Sequence, residues 1–348
     1  MTTMNNIPPI ASMPAEWQLE SAIMIAWPHA DTDWADILPD ATDCYATMAD
    51  AFSRHARVII VAPDSAVVEE KISTLPCRDN ISIVEIPTND TWTRDYGPIT
   101  VVKHDGTLLA LNFGFNGWGL KFAANLDNQV TDRMHLCGVL RDQPANCLSF
   151  ILEGGSIESD GDGTILTTSR CLLSPNRNGS YSQEEIEERL HRLLGAKKVL
   201  WLDHGGMEGD DTDGHIDTIA RFAPGNVILY NGCSDPDDPH YPELKAMLSQ
   251  LREFTDADGM PYHLVELPMP EPIYDADGRR LAATYANFLA LPDVVFMPTY
   301  RQPMSDRLAA MTIEAVFERP VVPVDATTLI HQNGSLHCAT MQIPLPLL

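Results

Sequence analysis

Short apolar runs rich in valine and isoleucine punctuate the chain: RVIIVA at 57–62, ISIVEI at 81–86, KVLWL at 198–202, NVILY at 226–230 and DVVFM at 293–297. Runs of this length with little polar alternation read as buried strands. Between several of them, apolar residues return at helical spacing over 40–55, 64–75, 182–194, 242–254 and 305–317. The third segment has explicit ends. Ser182 and Glu185 form a capping box, acids fill the first turn, and Gly195 stands where a left-handed stop belongs. Strands interleaved with helices predict an α/β fold.

Two stretches break simple alternation. SIESDGDGTILTT at 156–168 and ITVVKHDGTLLALNF at 99–113 each read as two strands joined by a turn rich in Gly and Asp. A wholly parallel, doubly wound sheet has no need of such hairpins, so the pattern predicts small units, each a short sheet with a helix. The stretches 233–242 and 268–280 are dense in Pro, Asp and Gly, yet strand-like segments continue on both sides without a change in composition. They read as surface loops of a single domain spanning 1–348.

Composition then narrows function. The chain has 348 residues, 44% of them hydrophobic, enough for a substantial core. Its 49 acidic and 23 basic residues give a formal net charge of −26. That field repels phosphate backbones and anionic lipid, which argues against nucleic acid or membrane as partner, and it gathers cations, although anionic surfaces also serve solubility. Seven scattered cysteines without a CxxC pair point to reduced thiols and a cytoplasmic setting. No basic segment followed by an apolar run opens the chain, and no stretch nears the ~20 apolar residues of a membrane helix.

Candidate chemistry lies in four polar clusters at the ends of apolar strands: TWTRDYGP (91–98), LEGGS (152–156), GDDTDGHID (209–217) and QNGSLHC (332–338). Each joins Gly to an ionisable residue, which lets backbone approach a ligand closely. Cys338 follows a Gly-containing loop and has polar neighbours, unlike Cys44 and Cys147, which makes it the candidate nucleophile. A lone cysteine is more often a small core residue, so its partners decide the matter. A strand through GHID would put His215 and Asp217 on one face. His337 is the rival base, but on a strand adjacent side chains oppose one another, so it reads as a structural histidine.

Asp95, Glu153, Asp211, Asp213 and Asp217 are too many for acid–base work alone. A guanidinium presents five N–H donors in a planar fork, and carboxylates accept them in pairs. Two acids holding a guanidinium and one orienting the histidine would use three of the five; Asp213 reads as a solvated turn residue. DGDG at 160–163 and DDTDG at 210–214 lack the spacing of a calcium loop, and neither HExxH nor paired cysteines suggest zinc.

Taken in order, EWQLESAIMIAWP (16–28), TWTRDYGP, FNGWGLKF (115–122), LEGGSIESDGDGTIL (152–166), SPNRN (174–178), the GHID segment and LHCATMQIP (336–344) resemble the agmatine deiminase family, sometimes filed with bacterial peptidylarginine deiminases in the guanidine-modifying superfamily. The resemblance covers nearly the whole chain. It implies a five-fold pseudo-symmetric α/β propeller of ββαβ-type units around a central pocket. It also implies Cys338 as nucleophile, His215 as catalytic histidine, Glu153 as the acid paired with it, and Asp95 and Asp217 as the guanidinium-holding acids. The implied reaction needs no metal or organic cofactor: the thiolate attacks the guanidinium carbon, ammonia leaves, and water hydrolyses the thiouronium.

Two buried carboxylates raise a thiol's pKa, so Cys338 is expected to stay largely neutral until a cationic substrate arrives. Agmatine is the expected substrate, with Asp211 as partner for its ammonium and Trp92 and Trp118 as walls along the methylene chain. The alternatives are free or peptidyl arginine, or, in another class, a silent polyamine-binding protein. The family resemblance further implies a homodimer or higher assembly. Two positions depart from the family pattern: Asn333 stands where glycine is common and must accept a left-handed backbone, and Leu120 replaces a frequent glycine and is expected to narrow the pocket mouth.

Overall fold

The computed structural model describes residues 4–348. The apolar runs form strands Val58–Ala62, Ile81–Glu85, Lys198–Leu202, Val227–Asn231 and Val295–Thr299. Two of them, Ile81–Glu85 and Lys198–Leu202, lie at sheet edges and are only partly covered, which a reading of apolar runs as buried strands does not anticipate. Helices Leu38–Ser53, Ser65–Ile72, Gln183–Leu194, Tyr241–Leu251 and Pro303–Phe317 occupy the segments of helical spacing. The capping box of Ser182 and Glu185 is formed, and Gly195 ends that helix at φ 68°. Both predicted hairpins are present, Ile99–Lys103 with Leu108–Gly114 and Ile157–Ser159 with Thr164–Thr168.

The strands form five mixed sheets. One orders Met341–Pro344, Ser21–Ala26, Val58–Ala62 and Ile81–Glu85; another orders Ile10–Ser12, Ile99–Lys103, Leu108–Gly114 and Ala145–Ile151. The third holds Ile157–Ser159, Thr164–Thr168 and Lys198–Leu202, the fourth Ala220–Ala223, Val227–Asn231 and His263–Leu267, and the fifth Leu289–Ala290, Val295–Thr299 and Val321–Asp325. This corrects the propeller expectation. The α/β class stands, but among the described residues no sheet closes, the strand numbers are unequal, and two sheets recruit a strand from near a chain end, Ile10–Ser12 and Met341–Pro344. A terminal strand satisfies backbone groups at an open sheet edge without repeating the unit it joins.

Helices bridge neighbouring sheets. Leu38–Ser53 packs on Val58–Ala62 and on Val321–Asp325, and Gln183–Leu194 touches both Ile10–Ser12 and Lys198–Leu202. Each sheet also has one antiparallel strand entered from a turn or loop that points inward. Asp95 precedes Ile99–Lys103, Gly155 precedes Ile157–Ser159, Asp217 precedes Ala220–Ala223, Asn287 precedes Leu289–Ala290, and Cys338 precedes Met341–Pro344. Residues far apart in sequence thereby meet at one place.

Candidate active site

The entering turns are tied together by backbone. The Arg94 N–H donates to the Cys338 carbonyl at 3.2 Å, and Thr93 Oγ1 lies 3.1 Å from the carbonyls of both Met24 and Ala339. Gly155 stands at the centre and donates its N–H to Asp95 Oδ1 at 3.0 Å. A Cβ built on Gly155 would lie 2.7 Å from His215 Nδ1, 2.9 Å from Asp95 Oδ1 and 3.0 Å from Asp217 Oδ2. Three of the sequence-derived candidates therefore converge on one point.

His215 is buried, with Nε2 3.0 Å from Glu153 Oε2. Its Nδ1 is 3.6 Å from Asp95 Oδ1, close enough to feel the charge but too far for a hydrogen bond. Burial disfavours the imidazolium, but the Asp95 charge and the Glu153 hydrogen bond outweigh it and hold His215 well above its usual range. Glu153 is burdened by burial and relieved by His215 and Arg177, which leave it below the usual carboxylate range. Arg177 Nε donates to Glu153 Oε2 at 2.7 Å, and Arg177 Nη1 to Asp213 Oδ2 at 2.6 Å. Asp213 is thus an ion-paired anchor for Arg177, also bonded by Lys121 at 2.9 Å, and not a solvated turn residue.

Cys338 Sγ lies 3.6 Å from Asp217 Oδ2. Burial, then the charges of Asp217 and Asp95, push the thiol well above its ordinary value, which agrees with a neutral resting thiol. Asp217 is also penalised by burial, yet the His337 hydrogen bond at 2.7 Å and the positive charge around it keep it low. Asp95 is pushed up to about 6, chiefly by burial, while Trp118 Nε1 donates to its Oδ2 at 2.9 Å. Trp118 makes that contact from a left-handed backbone at φ 55°, an uncommon conformation for a bulky residue that the site holds in place.

Three buried polar atoms here lack a partner among the described residues: His215 Nδ1, Asp217 Oδ1 and Glu153 Oε1. Each such orphan costs ~1–3 kcal/mol, and a ligand rich in donors would satisfy the carboxylate oxygens. Above Cys338 opens a pocket whose aromatic walls are Trp92, Trp118 and Phe122. Four carboxylates line it, Asp33, Asp90, Asp95 and Asp211, and no Lys or Arg does among the described residues. Asn333 Nδ2 donates to Asp211 Oδ2 at 2.8 Å from the left-handed conformation expected of it, φ 66°. Leu120 is 73% exposed and does not line the pocket, so the expected narrowing of the mouth does not occur.

Two local readings from sequence need revision. His215 and Asp217 stand at a 3-10 turn, Ile216–Thr218, and Cys338 lies in a tight turn, so strand alternation governs neither cluster. His337 is nevertheless kept away from a base's position: Nδ1 binds Asp217, and Nε2 faces Glu16 and, at 3.2 Å, Arg221. Other contributors went unremarked in the sequence. Asp90, one residue before TWTRDYGP, is pushed up to about 8 by burial. Gly155 lay inside LEGGS with nothing to set it apart from its neighbour, and Asn287 sits in an apolar stretch that carries no signal. Glu153, Cys171 and His215 bring potential metal-ligand atoms within 4.8 Å of one another, but Arg177 already supplies positive charge to that carboxylate.

Comparison with known proteins matches residues 12–344 to the model of the Porphyromonas-type peptidyl-arginine deiminase family. A protein of Shewanella sp. (strain MR-4), provisionally named an agmatine deiminase, is 36% identical over 95% of this chain and 94% of its own. A Porphyromonas gingivalis structure, provisionally named an arginine deiminase, is 44% identical with a TM-score of 0.90 over 96% of this chain and 98% of that one. The C. jejuni agmatine deiminase solved with substrate bound is 36% identical with a TM-score of 0.89, covering 96% of each chain.

Proposed function

The chain belongs to the Porphyromonas-type peptidyl-arginine deiminase family, and from that premise we propose that it hydrolyses agmatine to N-carbamoylputrescine and ammonia. It is a hydrolase of guanidine groups. The choice of agmatine over arginine rests on one observation: four acidic side chains line the pocket, of which burial leaves Asp90 largely protonated at neutral pH, and no basic residue lines it among the described residues. Agmatine ends in an ammonium, which these acids attract, whereas free arginine adds a carboxylate that they repel. The wider role is in polyamine metabolism, in a cytoplasmic setting, and the chain acts as a single domain.

In this reading Asp95 and Asp217 hold the guanidinium, and Asp217 Oδ1 gains the donor it lacks. Burial and two anions keep Cys338 protonated; arrival of that cation offsets the anions, and the thiol proton is released to solvent. The Sγ–C bond forms, and His215, oriented by Glu153, protonates the departing nitrogen so that ammonia leaves and a thiouronium remains. The neutral imidazole then takes a proton from water as its oxygen adds to the same carbon. Collapse breaks the C–S bond, the remaining hydroxyl proton passes to the departing sulfur and restores the thiol, and a carbamoyl group is left. One water is consumed, and the guanidinium charge departs as ammonium.

The deciding assay is ammonia release from agmatine, free arginine and a blocked arginine peptide in parallel. Selective turnover of agmatine is expected; turnover of the peptide at an equal kcat/KM overturns the substrate assignment. Asp211, half-enclosed and pushed above its usual range mainly by burial, is assigned to the ammonium. Asp211→Asn should raise KM for agmatine about tenfold, the loss of one ion pair of roughly 1.4 kcal/mol, at nearly constant kcat. A matching fall in kcat contradicts that assignment.

Acid should also weaken the free enzyme. Asp95 ionises at about 6 and must be ionised to hold a cation. Below that pH kcat/KM is expected to fall about tenfold per unit, while the limb in kcat lies lower because bound guanidinium favours the ionised acid. Coincident limbs in the two profiles would argue that Asp95 does not contact the charged group.

A further inference from the structure

Asp217 is wholly buried and tethered at one oxygen only. Its Oδ2 accepts the Nδ1–H of His337 at 2.7 Å, while Oδ1 has no partner among the described residues. The other ring nitrogen, Nε2, faces Glu16 Oε1. An ionised carboxylate can only accept, so a ring lying between two of them donates from both nitrogens. Arg221 Nη2 also lies 3.2 Å from Nε2, but it can only donate and would suit an Nε2 without its proton. Glu16 therefore decides what Nε2 carries.

Glu16 is itself fixed. It stands at the start of the 3-10 turn Glu16–Gln18. Oε1 also meets Arg94 Nη2 at 3.2 Å, and Oε2 receives Arg221 Nη2 at 3.0 Å and the Ala290 N–H at 3.2 Å. Arg221 continues to Glu158 and to the carbonyls of Ala286 and Phe288, at 3.1 and 2.6 Å. Burial works against the charge of Glu16, but His337, Arg221 and Arg94 hold it well below the usual carboxylate range. Glu16 and Arg94 line a second cavity, which shares no lining residue with the pocket above Cys338. Glu16 thus reaches the reacting groups from outside that pocket.

We propose that Glu16 is a positioning residue for the deimination, holding His337 by Nε2 so that Nδ1 fixes Asp217 Oδ2 and leaves Oδ1 to the guanidinium. This rests on Asp217 receiving the guanidinium. A carboxylate with one oxygen tethered presents the other in a set direction before substrate arrives, whereas a loose one has to be ordered by the substrate. The ring also supplies charge. The charged groups facing Asp217 are His337, His215, Arg221 and Arg94 on one side and Asp95 on the other, with Cys338 Sγ at 3.6 Å. Burial works against the ionised form of Asp217, and the His337 hydrogen bond and charge are the strongest effects that oppose it.

The test is Glu16→Gln, His337→Asn and the double variant in the full-length protein, with Glu16→Asp as a further arm that keeps the charge beside Arg94 and Arg221. Asparagine can still donate to Asp217 but carries no charge and is too short to reach Glu16. Each of the first two should lower kcat/KM for agmatine about thirtyfold, and the double variant should fall no more than about threefold further, because both break one link. His337→Asn should also move Asp217 upward until its limb joins that of Asp95, so that in acid kcat/KM falls toward about a hundredfold per pH unit instead of about tenfold. Losses that multiply in the double variant overturn the proposal, as does a Glu16→Gln protein that melts lower yet keeps wild-type kinetics. Should Glu16→Gln fail to fold, Glu16→Asp, one methylene short of His337, is expected to show the kinetic loss at near-normal melting, and wild-type kinetics there overturn the proposal. If the wild-type protein releases no ammonia from agmatine, the functional reading fails, while the ring-nitrogen NMR signals of His337, assigned by their loss in His337→Asn, still decide the link. In wild type both nitrogens should bear protons, and in Glu16→Gln Nε2 should turn to Arg221 and lose its own; an unprotonated Nε2 in wild type overturns the proposal.

Discussion

Replacing Cys338 by alanine should abolish ammonia release and leave agmatine binding intact. The groups that receive the cation remain in the variant: Asp95, Asp217 with its unpartnered Oδ1, and the acids and tryptophans of the pocket. Loss of the thiol removes only a weak donor 3.6 Å from Asp217, so the carboxylate is freer to accept from substrate. Calorimetry should return a Kd within about threefold of the wild-type KM, provided chemistry is slow relative to release. With wild-type enzyme, rapid acid quench should trap an adduct on the Cys338 peptide, and the variant should show none. Residual turnover above about one per cent would mean that water, activated by His215, attacks the guanidinium directly, and the covalent route would be wrong.

The chemistry of the site was legible in the residue types, but its geometry was not. A thiol, an imidazole and surplus carboxylates announce a guanidinium site because their charges and donors complement one. The placement arguments relied on strand alternation, and they failed where the chain turns. His215 and Asp217 flank a 3-10 turn, so their common direction comes from the turn, and His337 is engaged by Asp217 although it does not lie on the opposite face of a strand. Local periodicity reports only the conformation it assumes.

Fold followed the same division. Apolar runs and caps located strands and helices to within a few residues because each signal is local, as the Ser182–Glu185 box and Gly195 show. Which strands share a sheet is a non-local fact. Nothing in LHCATMQIP says that Met341–Pro344 will pair antiparallel with Ser21–Ala26, more than 300 residues away along the chain, and that pairing is one reason the units are unequal. The same pairing delivers Cys338. The turn before a sheet's antiparallel strand is an address for a site residue only after the sheets are assembled, which explains why Asn287, in an apolar stretch, left no trace in the sequence.

Gly155→Ala is expected to cost roughly a hundredfold or more in kcat/KM while the protein stays folded. Gly155 has no positive φ that would require glycine, so its role is spatial. The added methyl would meet His215 Nδ1 at 2.7 Å and Asp95 Oδ1 at 2.9 Å, both closer than a Cβ tolerates, and Asp217 Oδ2 at 3.0 Å, a tight contact. None of these atoms can easily withdraw. Asp95 is held by Trp118, Asp217 by His337, and His215 by Glu153, itself pinned by Arg177. Crowding of this kind costs ~1–3 kcal/mol of stability, a tolerable loss for a domain of this size. Displacing reacting groups by as little as ~1 Å costs about a hundredfold in rate, and here the guanidinium-holding acids and the proton carrier move together. Thermal melting and agmatine kinetics measured on the same preparation separate the two effects. A variant with near-normal melting and a collapsed kcat/KM places the reacting groups around this residue; a variant with normal kinetics would show that catalysis occurs elsewhere.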